Sequence, residues 1–140
     1  MKKEIVVNAP PEKVFSYLAD FPKHSEWAAH RLKIEQTSQG AIGVGTTFKS
    51  LGHQMGKNNE NQVTITELVP NQRLVFEAEG AEGRFRHLIA VEATGSGTKI
   101  TKGTDMLRLS LPSKLMLPMI MVMGSGLLAG DLKRIKAKVE

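Results

Sequence analysis

The stretch RFRHLIAVEATGSGTKITKGTDMLRL, residues 84–109, decides how this chain folds. Residues 84–94 and 98–109 each have the length and apolar content of a long strand, and Gly95-Ser96-Gly97 between them supplies a tight turn. Two strands joined so briefly pair antiparallel. Placing Val91 opposite Ile100 sets His87 against Thr104 and Phe85 against Met106 on one face. The other face then holds Glu92 against Lys99 and Arg86 against Asp105. Two opposite-charge pairs mark that second face as solvent-facing. Phe85, His87, Ile89, Val91, Ile100 and Met106 therefore point inward. Lys102 also falls on the inward face, which either weakens the register or places a cation inside. A slip of one residue would invert every assignment.

Working outward from this hairpin, residues 30–36, 46–51, 62–69 and 73–79 read as further strands. Leu32 and Ile34 share one face of the first of these. The glycines at 40, 43 and 45, the polar run 57–61, Pro70-Asn71 and residues 80–83 read as the turns between them. An earlier strand spans 3–8. Pro10-Pro11 then opens a helix with Val14, Phe15 and Leu18 at helical spacing, and Asp20-Phe21-Pro22 starts a second short helix carrying Trp27. From Ser113 the pattern is helical to the end. The class is α+β: a seven-stranded curved antiparallel sheet wrapped around a long C-terminal helix, with two short helices between strands 1 and 2. Residues 1–140 read as a single domain.

A single helix, about 10–12 Å across, is too narrow to fill the concave face of so wide a sheet. Aromatic residues are 5% of the chain, so large side chains are scarce and an internal cavity is expected. The run Ile5-Val6-Val7-Asn8-Ala9-Pro10-Pro11-Glu12-Lys13-Val14-Phe15, with Leu18, Asp20 and Trp27 after it, resembles the START-like, helix-grip superfamily in its polyketide cyclase/dehydrase-like (SRPBCC) branch. So do Gly43 to Thr46, residues 65–74, Gly97 to Ile100 and residues 131–136. The resemblance covers nearly the whole chain. It implies a deep pocket between sheet and C-terminal helix that takes a hydrophobic small molecule or lipid, on a fold that hosts many unrelated activities.

Composition narrows the chemistry. There are no cysteines, which excludes disulfides, thiolate metal sites and cysteine nucleophiles. The net charge is +5, but Lys and Arg are spread along the chain without interleaved aromatics, so no nucleic-acid partner is expected. The longest uncharged stretch, 115–130, is interrupted by Pro118, Gly124 and Gly126 and is shorter than the roughly twenty residues of a membrane span. No apolar signal core follows the basic N-terminus, so a cytoplasmic location is expected.

His87 is the best polar candidate inside the pocket, either as a core histidine satisfied by a neighbour or as an acid–base group. No carboxylate is placed by sequence to orient it. His24, His30 and His53 match no metal-ligand spacing; no metal and no cofactor are expected. Neither Gly-Ser-Gly has the context of a nucleophile elbow, and the glycines at 40–45 form a turn rather than a phosphate cradle. Trp27 either caps the pocket or anchors the core. The expected cavity lining is Trp27, Phe76, Phe85, His87, Met106, Leu117, Met121 and Leu128.

The C-terminal helix carries a seam at Leu117, Met121, Gly124, Leu128, Leu132, Ile135 and Val139, spaced by threes and fours. Beyond Asp131 the opposite face is polar, with Lys133, Lys136 and Lys138. Before Gly124 it carries Met116, Met119 and Met123, with Leu115 and Val122 nearby. Three readings compete: Pro118 and Gly124-Ser125-Gly126 break the helix so that both faces are buried, a homodimer partner covers Met116, Met119 and Met123, or this half is a mobile lid in transient contact with a membrane. The function expected is binding of a hydrophobic small molecule or lipid. The alternatives are a cyclase/dehydratase-type enzyme using His87 and a dimeric interaction module, with binding favoured over catalysis.

Overall fold

A computed structural model describes residues 1–28, 31–54 and 57–140. The elements in chain order are β1 (Lys2–Val7), α1 (Pro11–Ala19), a 3-10 helix (Phe21–Glu26), β2 (Arg31–Gln36), β3 (Thr47–Gln54), β4 (Lys57–Val69), β5 (Arg73–Gly80), β6 (Gly83–Thr94), β7 (Gly97–Leu109), α2 (Leu111–Leu115) and α3 (Leu117–Val139). The seven strands form one antiparallel sheet in the order β1-β7-β6-β5-β4-β3-β2. The first strand thus lies beside the last, and β1 and β2 are the edges.

The register expected for β6 and β7 is the one observed. Val91 faces Ile100, His87 faces Thr104, Phe85 faces Met106, Glu92 faces Lys99 and Arg86 faces Asp105. A bulge then makes Leu107 an extra residue before Arg84 meets Arg108. At the start of β6, Gly83 has φ 146°, and a Cβ there would lie 2.0 Å from the Arg108 carbonyl oxygen, so this approach of two strands requires glycine.

One turn was misplaced from sequence. Residues 57–61 are the start of β4 rather than a turn, with Asn58 paired to His53 and Asn61 to Ser50. This end of the β3–β4 hairpin is stitched by backbone ladder bonds and by polar pairs such as His53 Nδ1 to Asn58 Oδ1 at 2.8 Å, so it needs no apolar alternation. His30 lies outside the described residues.

Proline opens each helical segment instead of breaking it. Pro11, Pro22, Pro112 and Pro118 all stand in first turns, where a missing N–H costs no ladder bond. The helical break therefore falls at Met116, between α2 and α3, and Gly124-Ser125-Gly126 stays inside α3. Met1's side chain lies against Gly124.

The core gathers Val14 and Leu18 from α1, Phe21 from the 3-10 helix, and Phe48, Ile65, Leu74, Ile89 and Ile100 from the inner face of the sheet. Burying each such side chain contributes about 1.5–3 kcal/mol. On α3 only the second half grips: Leu128, Leu132, Ile135 and Val139 are buried, with β1, β7 and α1 as the neighbours of the helix. In the first half Leu117 is half-buried and Met121 is 40% exposed, while Leu115 and Val122 are more than three-quarters exposed. The expectation that a helix break buries both faces is thus not met. Among the described residues, no helix is long and apolar enough to cross a membrane.

Candidate functional site

The inner face of β5, β6 and β7 carries the candidate site. His87 projects from β6, where alternation turns it inward, and its ring stacks on Phe76 of β5 with centroids 5.0 Å apart. Its Nδ1 lies 3.2 Å from the Thr104 hydroxyl of the facing strand. His87 is half-buried on this inner face and keeps accessible surface. Its cross-strand neighbours Phe85 and Met106 are also half-buried. Burial lowers the His87 pKa to about 3, helped by the positive charge of Lys102 and by His24. The imidazole is neutral at physiological pH.

Lys102 shares this inner face, diagonal to His87 across the β6–β7 ladder. The cation lies inside, and the register holds. Its residue is 7% exposed, and its Nζ stands 3.3 Å from Asp131 Oδ2 of α3 and 5.5 Å from the centroid of the Trp27 ring. Burial lowers its pKa, and the Asp131 carboxylate opposes that shift. Asp131 Oδ1 accepts a 2.8 Å bond from the Arg134 guanidinium, whose Nε donates at 2.7 Å to the Trp27 carbonyl. A single chain of contacts, Lys102–Asp131–Arg134–Trp27, thereby ties sheet, α3 and the end of the 3-10 helix together.

His24 completes the wall. Its ring lies 4.4 Å from Phe21 and 4.7 Å from Trp27, centroid to centroid, and its Nε2 is 2.7 Å from the Leu18 carbonyl. A carbonyl only accepts, so Nε2 carries the hydrogen and Nδ1 is left as an acceptor. Burial lowers this pKa to about 4, although the Leu18 bond opposes the shift. Trp27 Nε1 is buried with no hydrogen-bond partner among the described residues.

Of the residues expected to line a cavity, Phe76, Phe85, His87 and Met106 meet on one face of three adjacent strands. Trp27 and Leu128 are buried, with Trp27 beside Lys102. Leu117 is half-buried and Met121 lies on the exposed half of α3. Met116 and Met119 are exposed at 43% and 41%, and Met123 is half-buried. His53 belongs to the β3–β4 hairpin, with its residue exposed. Sequence reasoning missed His24 and Asp131. Asp131 was readable in principle: it lies three residues after Leu128 and four before Ile135, on the apolar stripe of α3, where a carboxylate demands a cation.

Two shallow hollows lie on the opposite face of the sheet. They have volumes of ≈ 230 and ≈ 450 Å³ and are rimmed by ion-paired side chains, Arg73 with Glu67 in one and Arg84 with Glu77 in the other. Such linings suit water better than an apolar ligand.

Over residues 1–140 the chain matches the model of the family described as polyketide cyclase / dehydrase and lipid transport. The chain belongs to this family. Its sheet and long C-terminal helix form the helix-grip fold. TTHA0849 from Thermus thermophilus is similar in structure at a TM-score of 0.83 and 19% identity, covering 99% of this chain and 95% of that one. A START superfamily protein from Mycobacterium smegmatis is similar at 0.81 and 15%, with 99% and 95% covered. The di-domain ARO/CYC StfQ from the steffimycin biosynthetic pathway is similar at 0.80 and 12%; 99% of this chain spans 50% of that one. At these identities the likeness to solved structures is one of fold. No curated protein matches by sequence.

Proposed function

We propose that the protein, acting as a single domain over residues 1–140, binds a hydrophobic small molecule or lipid in the recess between the inner face of β5–β7 and α3. One observation carries the reading: Phe85, His87 and Met106, turned to the inner face of two paired strands, are each only half-buried and keep accessible surface there. The family description, which includes lipid transport, agrees with it. Binding is favoured over acid–base catalysis of the cyclase type. An imidazole with a pKa of about 3 is a poor proton carrier near neutrality, and both Asp131 oxygens are engaged by Lys102 and Arg134 instead of orienting His87. Native mass spectrometry of gently purified protein tests the proposal. A bound mass of small-molecule size, lost on denaturation and restored by adding back an organic extract, is expected. A ligand-free spectrum before and after incubation with extract and with a panel of medium-chain amphiphiles rejects it.

A further inference from the structure

Two hydrogen-bond donors, the Lys102 ammonium and the Trp27 indole N–H, meet at the buried end of the recess, beside the acceptors of Asp131 and the His24 Nδ1. An ammonium carries three N–H groups. Among the described residues, Asp131 is the acceptor that Lys102 engages. Both Asp131 oxygens are already used, one by Lys102 and one by Arg134. The Trp27 indole N–H, buried and without a partner, adds another donor. Trp27 Nε1 lies at the edge of the ring over which the Lys102 ammonium sits, 5.5 Å from the ring centroid. The Lys102 ammonium and the Trp27 indole are thus neighbours in the fold, and a carboxylate has two oxygens with which to accept from both. Leaving such donors unmet inside the fold is costly, and a ligand that supplies oxygen removes the cost.

We infer that this end of the recess holds the oxygen-bearing head of the ligand, a carboxylate received between the Lys102 ammonium and the Trp27 indole N–H, with the apolar tail lying along Phe76, Phe85 and Met106. The inference rests on the reading of the recess as the ligand site. The rings of Trp27, His24, Phe76 and His87 follow one another at centroid separations of 4.7, 6.1 and 5.0 Å, a continuous aromatic wall from the head position toward Phe85 and Met106. His24 and His87 are neutral, so the fixed positive charge facing the head is that of Lys102, set against Asp131. Arg134 is 41% exposed and its charge is largely met by water. A donor-only cationic head would meet the ammonium directly and be repelled.

Isothermal titration calorimetry with decanoate, decylammonium and acetate separates the head from the tail. Wild-type protein is expected to bind decanoate about tenfold or more tightly than decylammonium, the value of a charge-assisted bond, and acetate far more weakly than decanoate. Trp27→Phe keeps an aromatic ring in the core and removes the N–H; it is expected to weaken decanoate several-fold and leave decylammonium unchanged. The double variant Lys102→Met with Asp131→Asn, which removes both charges together, is expected to abolish the preference for decanoate. Equal affinity for the two ten-carbon probes, or a preference unchanged in Trp27→Phe, overturns the head-group assignment while leaving binding in the recess intact. If neither ten-carbon probe binds, both readings fall.

Discussion

Replacing Asp131 with asparagine probes the contact that joins the sheet to α3. The side chain is buried, and its carboxylate is the counter-charge of a lysine that is itself 7% exposed. Removing one partner of a buried pair leaves the other uncompensated, a loss of about 3–5 kcal/mol. The second bond, to Arg134, adds little, because that guanidinium is 41% exposed and an exposed pair is worth about 1 kcal/mol or less. The double variant Lys102→Met with Asp131→Leu, which removes both charges, is expected to fall within about 1 kcal/mol of wild type or to exceed it. Urea unfolding followed by circular dichroism measures all three proteins. The deficit of Asp131→Asn should also shrink as the pH rises. In that variant the folded state releases the Lys102 proton at a lower pH than the unfolded chain, whose lysine titrates near about 10.4, so the folded state binds fewer protons and gains stability through the interval. A loss below about 1 kcal/mol in Asp131→Asn with no pH dependence would falsify the account of Lys102 as a buried cation held by this carboxylate.

Acid should weaken the fold through its two buried histidines. His24 and His87 titrate at about 4 and about 3 when folded, against about 6.5 unfolded, so the folded state binds fewer protons between these values. Their contribution is complete above about pH 6.5 and lost as the pH falls toward 4 and 3; each unit is worth about 1.4 kcal/mol per group, a few kcal/mol in all by pH 5. Urea midpoints that do not move between pH 7 and 5 contradict this. Gly83→Ala places a Cβ against the Arg108 carbonyl at a φ of 146° and should cost about 1–3 kcal/mol in thermal unfolding; an unchanged Tm speaks against the close approach. Leu132→Ala should cost about 2–5 kcal/mol and Val122→Gln within about 0.5 kcal/mol, because α3 grips only through its second half. Equal losses at the two positions would place the grip elsewhere.

The hairpin 84–109 was legible because a glycine turn and an alternation of charge fixed one register. That register carried His87, Phe85 and Met106 to one face. The polar start of β4 was not legible, since strands held by backbone ladders and polar pairs show no apolar alternation. The bulge at Leu107 leaves no local mark either. Lys102 stood out as a cation on an apolar face, but its partner Asp131 is 29 positions away and reaches it only once α3 lies on the sheet. His24 was hidden for a different reason. Its burial depends on a 3-10 turn that stacks it between Phe21 and Trp27, and no period in the sequence announces such a turn.

The central claim is that the recess beside His87 is where a ligand sits. Methyl and aromatic NMR spectra recorded during titration with decanoate report this position directly. The account predicts saturable shifts at Met106, Phe85, Phe76 and His87, with Val122 and Leu115 on the exposed helix unmoved. Shifts confined to those exposed residues, or to the charged hollows on the opposite face of the sheet, would contradict it.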